Sequence, residues 1–219
     1  SVVTNPDDIN EPTGTGNSLI ESKVIDLSDI DLEKLKDKFK IAEHKNIEIN
    51  DMRAFIQRKI QQMLKTNQSR VNFADKYKEI VDNYNSGATA TEEFFEDLRK
   101  FAQDLQEEDK RHLREGLTED ELEIFELLVK EQVTKDEEKQ VKLASKDLIA
   151  KLVNASPRVL VNEWWRDPQT KARVKSLIED VLDSDLPESY DRVAFNRKVS
   201  DVFDLVQRLA RNDEKWVKV

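Results

Sequence analysis

Cysteine is absent from the 219 residues, which excludes disulfides and thiolate metal sites and fits a reducing, cytoplasmic setting. His44 and His112 are the only histidines, so a multi-histidine metal site and most histidine-based catalysis are set aside. Glycine and proline are scarce as well, at 4 and 5 residues, too few turns for a sandwich, a barrel or a many-stranded α/β sheet. No apolar run approaches the roughly 20 residues that span a bilayer, and the amino end carries no signal-peptide pattern. The first residue is Ser1 rather than Met, so the chain reads as a processed product or as a fragment of something larger.

What is present is charge and helical period. Charged and hydrophobic residues each make up 37% of the chain, a polar balance, yet the apolar residues recur at helical intervals and argue against global disorder. The expected fold is all-α: a compact helical domain of nine or ten amphipathic helices behind a flexible N-terminal arm. Residues 1–27, with Pro6, Pro12, Gly14 and Gly16 among small polar residues, read as a linker or arm. Residues 28–219 read as the helical domain, divisible into lobes 28–115 and 116–219.

Caps and apolar stripes predict the helices individually. Ser28 is placed to cap a helix bearing Leu32, Leu35 and Phe39, and Asn50 one bearing Met52, Phe55, Ile56, Ile60, Met63 and Leu64. Phe73, Tyr77, Ile80, Val81 and Tyr84 form a third stripe stopped by Gly87, and Phe94, Phe95, Leu98, Phe101 and Leu105 a fourth. Gly116 stops the next element, while Thr118 with Glu121 and Thr134 with Glu137 spell two capping boxes, the first flanked by a Leu117/Leu122 staple. Pro157 suits the start of a brief helix carrying Leu160, Val161, Trp164 and Trp165, Pro168 after Asp167 starts another, and Pro187 precedes the last.

Charge is distributed unevenly beneath the net −10. Residues 92–138 hold 18 Asp and Glu against 7 Lys and Arg, whereas residues 139–178 hold 9 Lys and Arg against 3 Asp and Glu. The acidic total repels DNA at long range, but a local cationic face can still engage phosphates. Lys135, Lys139, Lys142 and Lys146 fall at spacings of four, three and four, forming a stripe predicted to lie opposite Val141, Ala144, Leu148 and Leu152. The stripe is either a solvated outer face or a phosphate-contacting ridge, the latter joined by Arg158, Arg166, Lys171, Arg173 and Lys175. On the last helix, Arg197 with Asp201 and Asp204 with Arg208 read as self-neutralising pairs.

Other constellations weigh less. Pro6, Asp7, Glu21 and Lys23 follow the residue order of a metal-dependent nuclease site, but no strand is predicted there, and such combinations arise by chance in a chain this charged. Gly14 and Gly16 lack the third glycine or the Lys-Ser/Thr of a phosphate cradle. His112, amid Lys110, Arg111 and Arg114, reads as a solvated surface residue. Trp164 and Trp165 extend an apolar stripe, with core packing the main reading and partner anchoring the alternative. Phe94 and Phe95, about 100° apart on a helix, are candidates to face different neighbours, including a partner protein. Trp216 is expected to pack back on the domain if the tail is ordered.

Several segments in order resemble the carboxyl-terminal helical region of the restriction (motor, HsdR-type) subunit of bacterial type I restriction-modification enzymes. They are Lys45-Asn46-Ile47-Glu48-Ile49; Gly116-Leu117-Thr118-Glu119-Asp120-Glu121-Leu122 running into Ile124-Phe125; Trp165-Arg166 ahead of Lys171-Ala172-Arg173-Val174; and Leu186-Pro187 before the terminal helix. The resemblance covers most of residues 24–211. It implies a parent that is an ATP-dependent, Mg2+-using endonuclease and DNA translocase, assembled with methyltransferase and specificity subunits. No Walker lysine motif or helicase arginine motif occurs here, so no catalytic residue, metal or cofactor carries over. The resemblance implies a non-catalytic module that docks onto the methyltransferase core and contacts duplex DNA non-specifically. A helical scaffold that binds only proteins is the first rival, and an autonomous metal-dependent nuclease the second.

Overall fold

A computed structural model of the chain describes residues 31–43, 45–154, 157–212 and 214–216. Among these residues nine α-helices and one short 3-10 turn are present and no strand. The expected arm 1–27, the Ser28 cap and the Asp7/Glu21/Lys23 pattern lie outside the described residues. The described residues belong to one compact unit.

Short-range chemistry sets most helix ends. Asp31 caps α1 (Leu32–Ile41), its carboxylate accepting from the amides of Glu33 and Lys34, each at 3.1 Å. Helix α2 (Lys45–Thr66) does not begin at Asn50 as its side chain suggested. Ile49 is buried on the same face as Met52, Phe55 and Met63, so the apolar stripe begins a turn earlier and Asn50 is an exposed interior position. Asn67 then caps the 3-10 turn Gln68–Arg70, which leads into α3 (Val71–Asn85). Gly87, at φ +78°, ends α3: its amide and that of Ala88 reach back to Tyr84 and Asn83 at 3.0 Å.

Helix α4 (Thr91–Asp109) passes into the five-residue α5 (Arg111–Glu115). Gly116, at φ +66°, closes α5 with the same paired reverse bonds, to Leu113 at 3.1 Å and from Leu117 to His112 at 2.9 Å. Both capping boxes form as read. Thr118 and Glu121 exchange bonds of 3.2 and 2.8 Å at the start of α6 (Glu119–Leu128), and Thr134 and Glu137 bonds of 3.2 and 2.7 Å ahead of α7 (Lys135–Asn154). The brief helix expected after Pro157 is absent. Residues 157–166 are a chain of turns with Glu163 at φ +52°, a left-handed conformation that interrupts any right-handed run. Asp167 with Pro168 starts α8 (Pro168–Asp185), and Asp191 caps α9 (Arg192–Arg211).

Two groups of helices result. In the first, α1, α2 and α3 pack against α4, and the contacts are aromatic. Phe95 stacks on Phe39 at 3.8 Å, Phe94 on Tyr84 at 4.0 Å, and Phe101 lies between Phe73 and Tyr77. In the second, α6 packs on α7, α7 on α8, α8 on α9, and α9 back on α6. The four close around Leu122, Phe125, Val141, Leu148, Ile178 and Val202, within an apolar cluster whose buried members all fall between Leu117 and Ala210. Trp164 completes that cluster from the turns, set edge-on to Phe203 at 6.0 Å.

Phe95→Ala is expected to cost about 3–5 kcal/mol in urea unfolding, since it empties a fully buried stack. Leu143→Ala, at an exposed position, is expected to change stability by less than about 0.5 kcal/mol. A second expectation concerns pH. The Glu137 carboxyl is held from the ordinary 4.5 down to about 2, first by the Ser189 hydroxyl, then by the Thr134 amide and hydroxyl and the Lys130 charge. Its contribution is therefore complete above pH 4.5 and lost as pH falls toward 2. The Thr134 amide resonance is expected to move through that window in the parent and to stay put in Glu137→Gln.

Candidate functional site

The lysine stripe of residues 135–146 reads either as a solvated face or as a phosphate-contacting ridge, and the structure takes one of its members out of both. One residue along a helix is about 100° around the axis, so Lys142 sits on the flank of the buried Val141 rather than opposite it. There its Nζ meets Glu115 at 2.5 Å and Glu138 at 2.7 Å, above the ring of Phe125. Burial opposes the Lys142 charge, but the two carboxylates outweigh it and raise its pKa above the usual lysine value. Lys139, by contrast, is 75% exposed and lies 3.4 Å from Asp136, while Lys135 and Lys146 are exposed.

The remaining cations follow the same mixed pattern. Arg158 is exposed, and Arg166 is exposed beside Glu163 at 2.9 Å. Lys171 is half-buried on α8. Arg173 and Lys175 are exposed but, two positions apart, project about 200° apart around that helix, and Lys175 lies 4.0 Å from Glu179. Lys139 and Lys146 remain exposed, two turns apart on one face of α7, and Arg158, Arg166, Arg173 and Lys175 are exposed outside that helix.

The aromatic partner candidates are placed in the interior. Phe94, Phe95 and Trp164 are each no more than 2% exposed. Phe94 and Phe95 do face different neighbours, Tyr84 and Phe39, but both neighbours belong to this chain. Trp165 is half-buried against Trp164. As anchors for a partner, Phe94, Phe95 and Trp164 are therefore corrected to core residues, their area already covered.

What the structure builds instead is a charged seam where the first helix group meets α6. Arg70, 2% exposed at the end of the 3-10 turn, reaches Glu108 of α4 at 3.2 Å and Glu119 of α6 at 2.9 Å. Arg111 pairs with Glu126 and lies 3.6 Å from Glu108. Glu126 also accepts from the Asn67 amide at 3.2 Å and from the Ser69 hydroxyl. His112 is not the solvated residue expected: its Nδ1 is buried, 3.1 Å from Glu119. Along the same seam, Lys215 bonds Asp120 at 2.7 Å and Glu123 at 2.8 Å, and the Trp216 indole donates to Asp120 at 3.0 Å.

The carboxyl end of α6 is held as firmly. Lys198 donates to the carbonyls of Leu127 and Val129 at 2.5 and 3.3 Å, and the Tyr190 hydroxyl to that of Leu128 at 2.8 Å. These are the free acceptors that a helix end leaves. Burial pushes the Lys198 ammonium down from the ordinary lysine value, and pushes the Tyr190 phenol up to about 12 with help from the Glu137 charge.

Sequence reasoning missed this seam. The available signal was the 4,3 spacing of Glu119, Glu123 and Glu126, one acidic face on a helix whose neighbours Leu122, Ile124 and Phe125 are apolar. Among the described residues no group of three or more histidines or carboxylates is arranged to hold a metal ion. None of their helices is long and apolar enough to cross a membrane.

The fold and the seam define an all-α module whose internal charges largely bind one another. Residues 18–212 match the family of type I restriction enzyme HindI endonuclease subunit-like proteins, C-terminal region, and the chain belongs to that family. No curated protein and no solved structure matches it.

Removing Arg70 takes a shared guanidinium from two carboxylates in a partly dry seam, leaving Glu108 beside Arg111 and Glu119 beside His112. Arg70→Met is expected to cost about 3 kcal/mol, the lower end for a broken buried pair because Glu108 and Glu119 keep some solvent. Lys139→Ala, measured in the same urea titration, is expected to cost under about 0.5 kcal/mol.

Proposed function

We propose that this domain is a non-catalytic docking module: it joins the endonuclease subunit to the methyltransferase and specificity subunits and touches duplex DNA through its exposed cations without reading sequence. The observation that carries the reading is the family match across residues 18–212, which makes the chain the C-terminal region of a restriction subunit. ATP and Mg2+ are then the concern of other parts of that subunit. The DNA contact is supported by Lys139, Lys146 and Arg158, exposed in a segment of net +6. Lysines and arginines without fixed geometry offer charge to phosphates and no pattern for base edges.

Two experiments test it. If three phosphates are neutralised, log affinity for duplex DNA is expected to fall against log salt with a slope of about −3, and to vary little with sequence. Changing Lys139, Lys146 and Arg158 together to Glu is expected to weaken binding and flatten the slope. Lys142 is left alone, because a glutamate there would face Glu115 and Glu138. Unchanged affinity in the triple variant would leave a protein-only scaffold as the better reading.

Docking is tested on the whole subunit. Deleting only residues 92–219 would strip Phe94, Phe95 and Phe101 from α1–α3, so the proper deletion is residues 31–219. Loss of the complex on a sizing column is expected, and normal assembly would remove the docking role.

A further inference from the structure

The buried members of the apolar cluster of the second helix group all come from Leu117–Ala210, so the aromatic core of α1–α4 is not continuous with it. Where the two groups meet, the groups that face one another are Arg70, Arg111, Asn67 and the carboxylates of α4 and α6. Polar interfaces of this kind separate at lower cost than apolar ones, and relative motion is their default. Such a seam needs a tie from somewhere else.

The carboxyl tail supplies one. After α9 the chain reverses, with the Glu214 amide bonded to the Leu209 carbonyl at 3.0 Å. The Glu214 carboxylate then accepts from the Gln68 side chain, in the 3-10 turn, at 3.0 Å. Lys215 has three ammonium protons and three acceptors: the Thr66 carbonyl at the end of α2 at 2.6 Å, Asp120 at 2.7 Å and Glu123 at 2.8 Å. One side chain thus joins the last turn of α2 to α6. Burial disfavours its charge, yet the two carboxylates raise its pKa, so the ammonium persists throughout the physiological range. Trp216 follows at φ +60°, a conformation an aromatic residue adopts only when held, and its indole ring packs against the α6–α9 cluster.

We propose that residues 214–216 are a latch: by bridging Thr66 and Gln68 on one side of the seam to Asp120 and Glu123 on the other, the tail holds the two helix groups closed, and its release lets them hinge about the Gly116–Leu117 link between α5 and α6. The latch is independent of the DNA reading. It makes the angle between the groups a two-state property of the domain, set by whether one ammonium and one indole are seated.

The full chain carries no cysteine, so a spin-label pair placed through Lys78→Cys on α3 and Ser176→Cys on α8, both exposed, reports that angle cleanly. A narrow distance distribution is expected in the parent and a broadened or displaced one in Lys215→Met, which keeps the stem and loses the ammonium. Hydrogen exchange on the same variant is expected to speed at least tenfold at residues 68–70 and 119–123, with residues 141–152 and 199–209 unchanged. Trp216→Phe, which removes the indole N–H and shrinks the ring but keeps an aromatic group, is expected to give a smaller change in the same places. A Lys215→Met variant with the parental distance distribution and exchange rates would overturn the latch, and so would exchange accelerated equally throughout, which marks general loss of stability.

Discussion

The guanidinium of Arg70 is the constraint on which the arrangement turns. It is almost wholly withdrawn from water, so it must find anions, and the anions within reach belong to two different helices, α4 and α6. Satisfying both fixes where α6 lies against the first helix group. The geometry of Arg70 is in turn fixed by Asn67, fully buried, which caps the short turn and bonds Glu126. With α6 placed, α7, α8 and α9 can close on its apolar face. A surplus of carboxylates in residues 92–138 is therefore not simply a solvated acidic skin. Much of it is acceptor chemistry for cations that arrive from elsewhere in the chain, among them Lys45, Lys59, Arg70, Lys76 and Lys215.

How far the fold could be read from the sequence follows from the range of the interactions that set each part. Caps, boxes and glycine stops operate over three to five residues, and Thr118/Glu121, Thr134/Glu137, Gly87, Gly116 and Asp167-Pro168 form as their local chemistry requires. Asn50 and Pro157 show where local signals lose. An interior asparagine is tolerated when a buried stripe continues past it, and a proline suited to a helix start does not make one when the chain must turn to set Trp164 against Phe203. The partners across the seam were not legible for a related reason. Arg70 and Glu119, Lys215 and Asp120 are far apart in sequence, and each alone resembles an ordinary surface charge.

Lys142 carries the sharpest lesson about the basic stripe. On a helical wheel it belongs with Lys139 and Lys146, but a wheel does not show what stands beside the helix. Its neighbour is Glu115, the last residue of α5, directly before the glycine at which the chain passes from the first helix group to the second. Lys142 thus belongs to the junction rather than to the outer face, and it ties α7 to the end of α5 while Arg70 and Lys215 tie the rest. The exposed cations and the internal ones are consequently different sets with different physics. Exposed lysines are screened by salt and exchange partners freely. Those in the junction are partly dry, hold fixed carboxylates, and respond to motion of the groups they join.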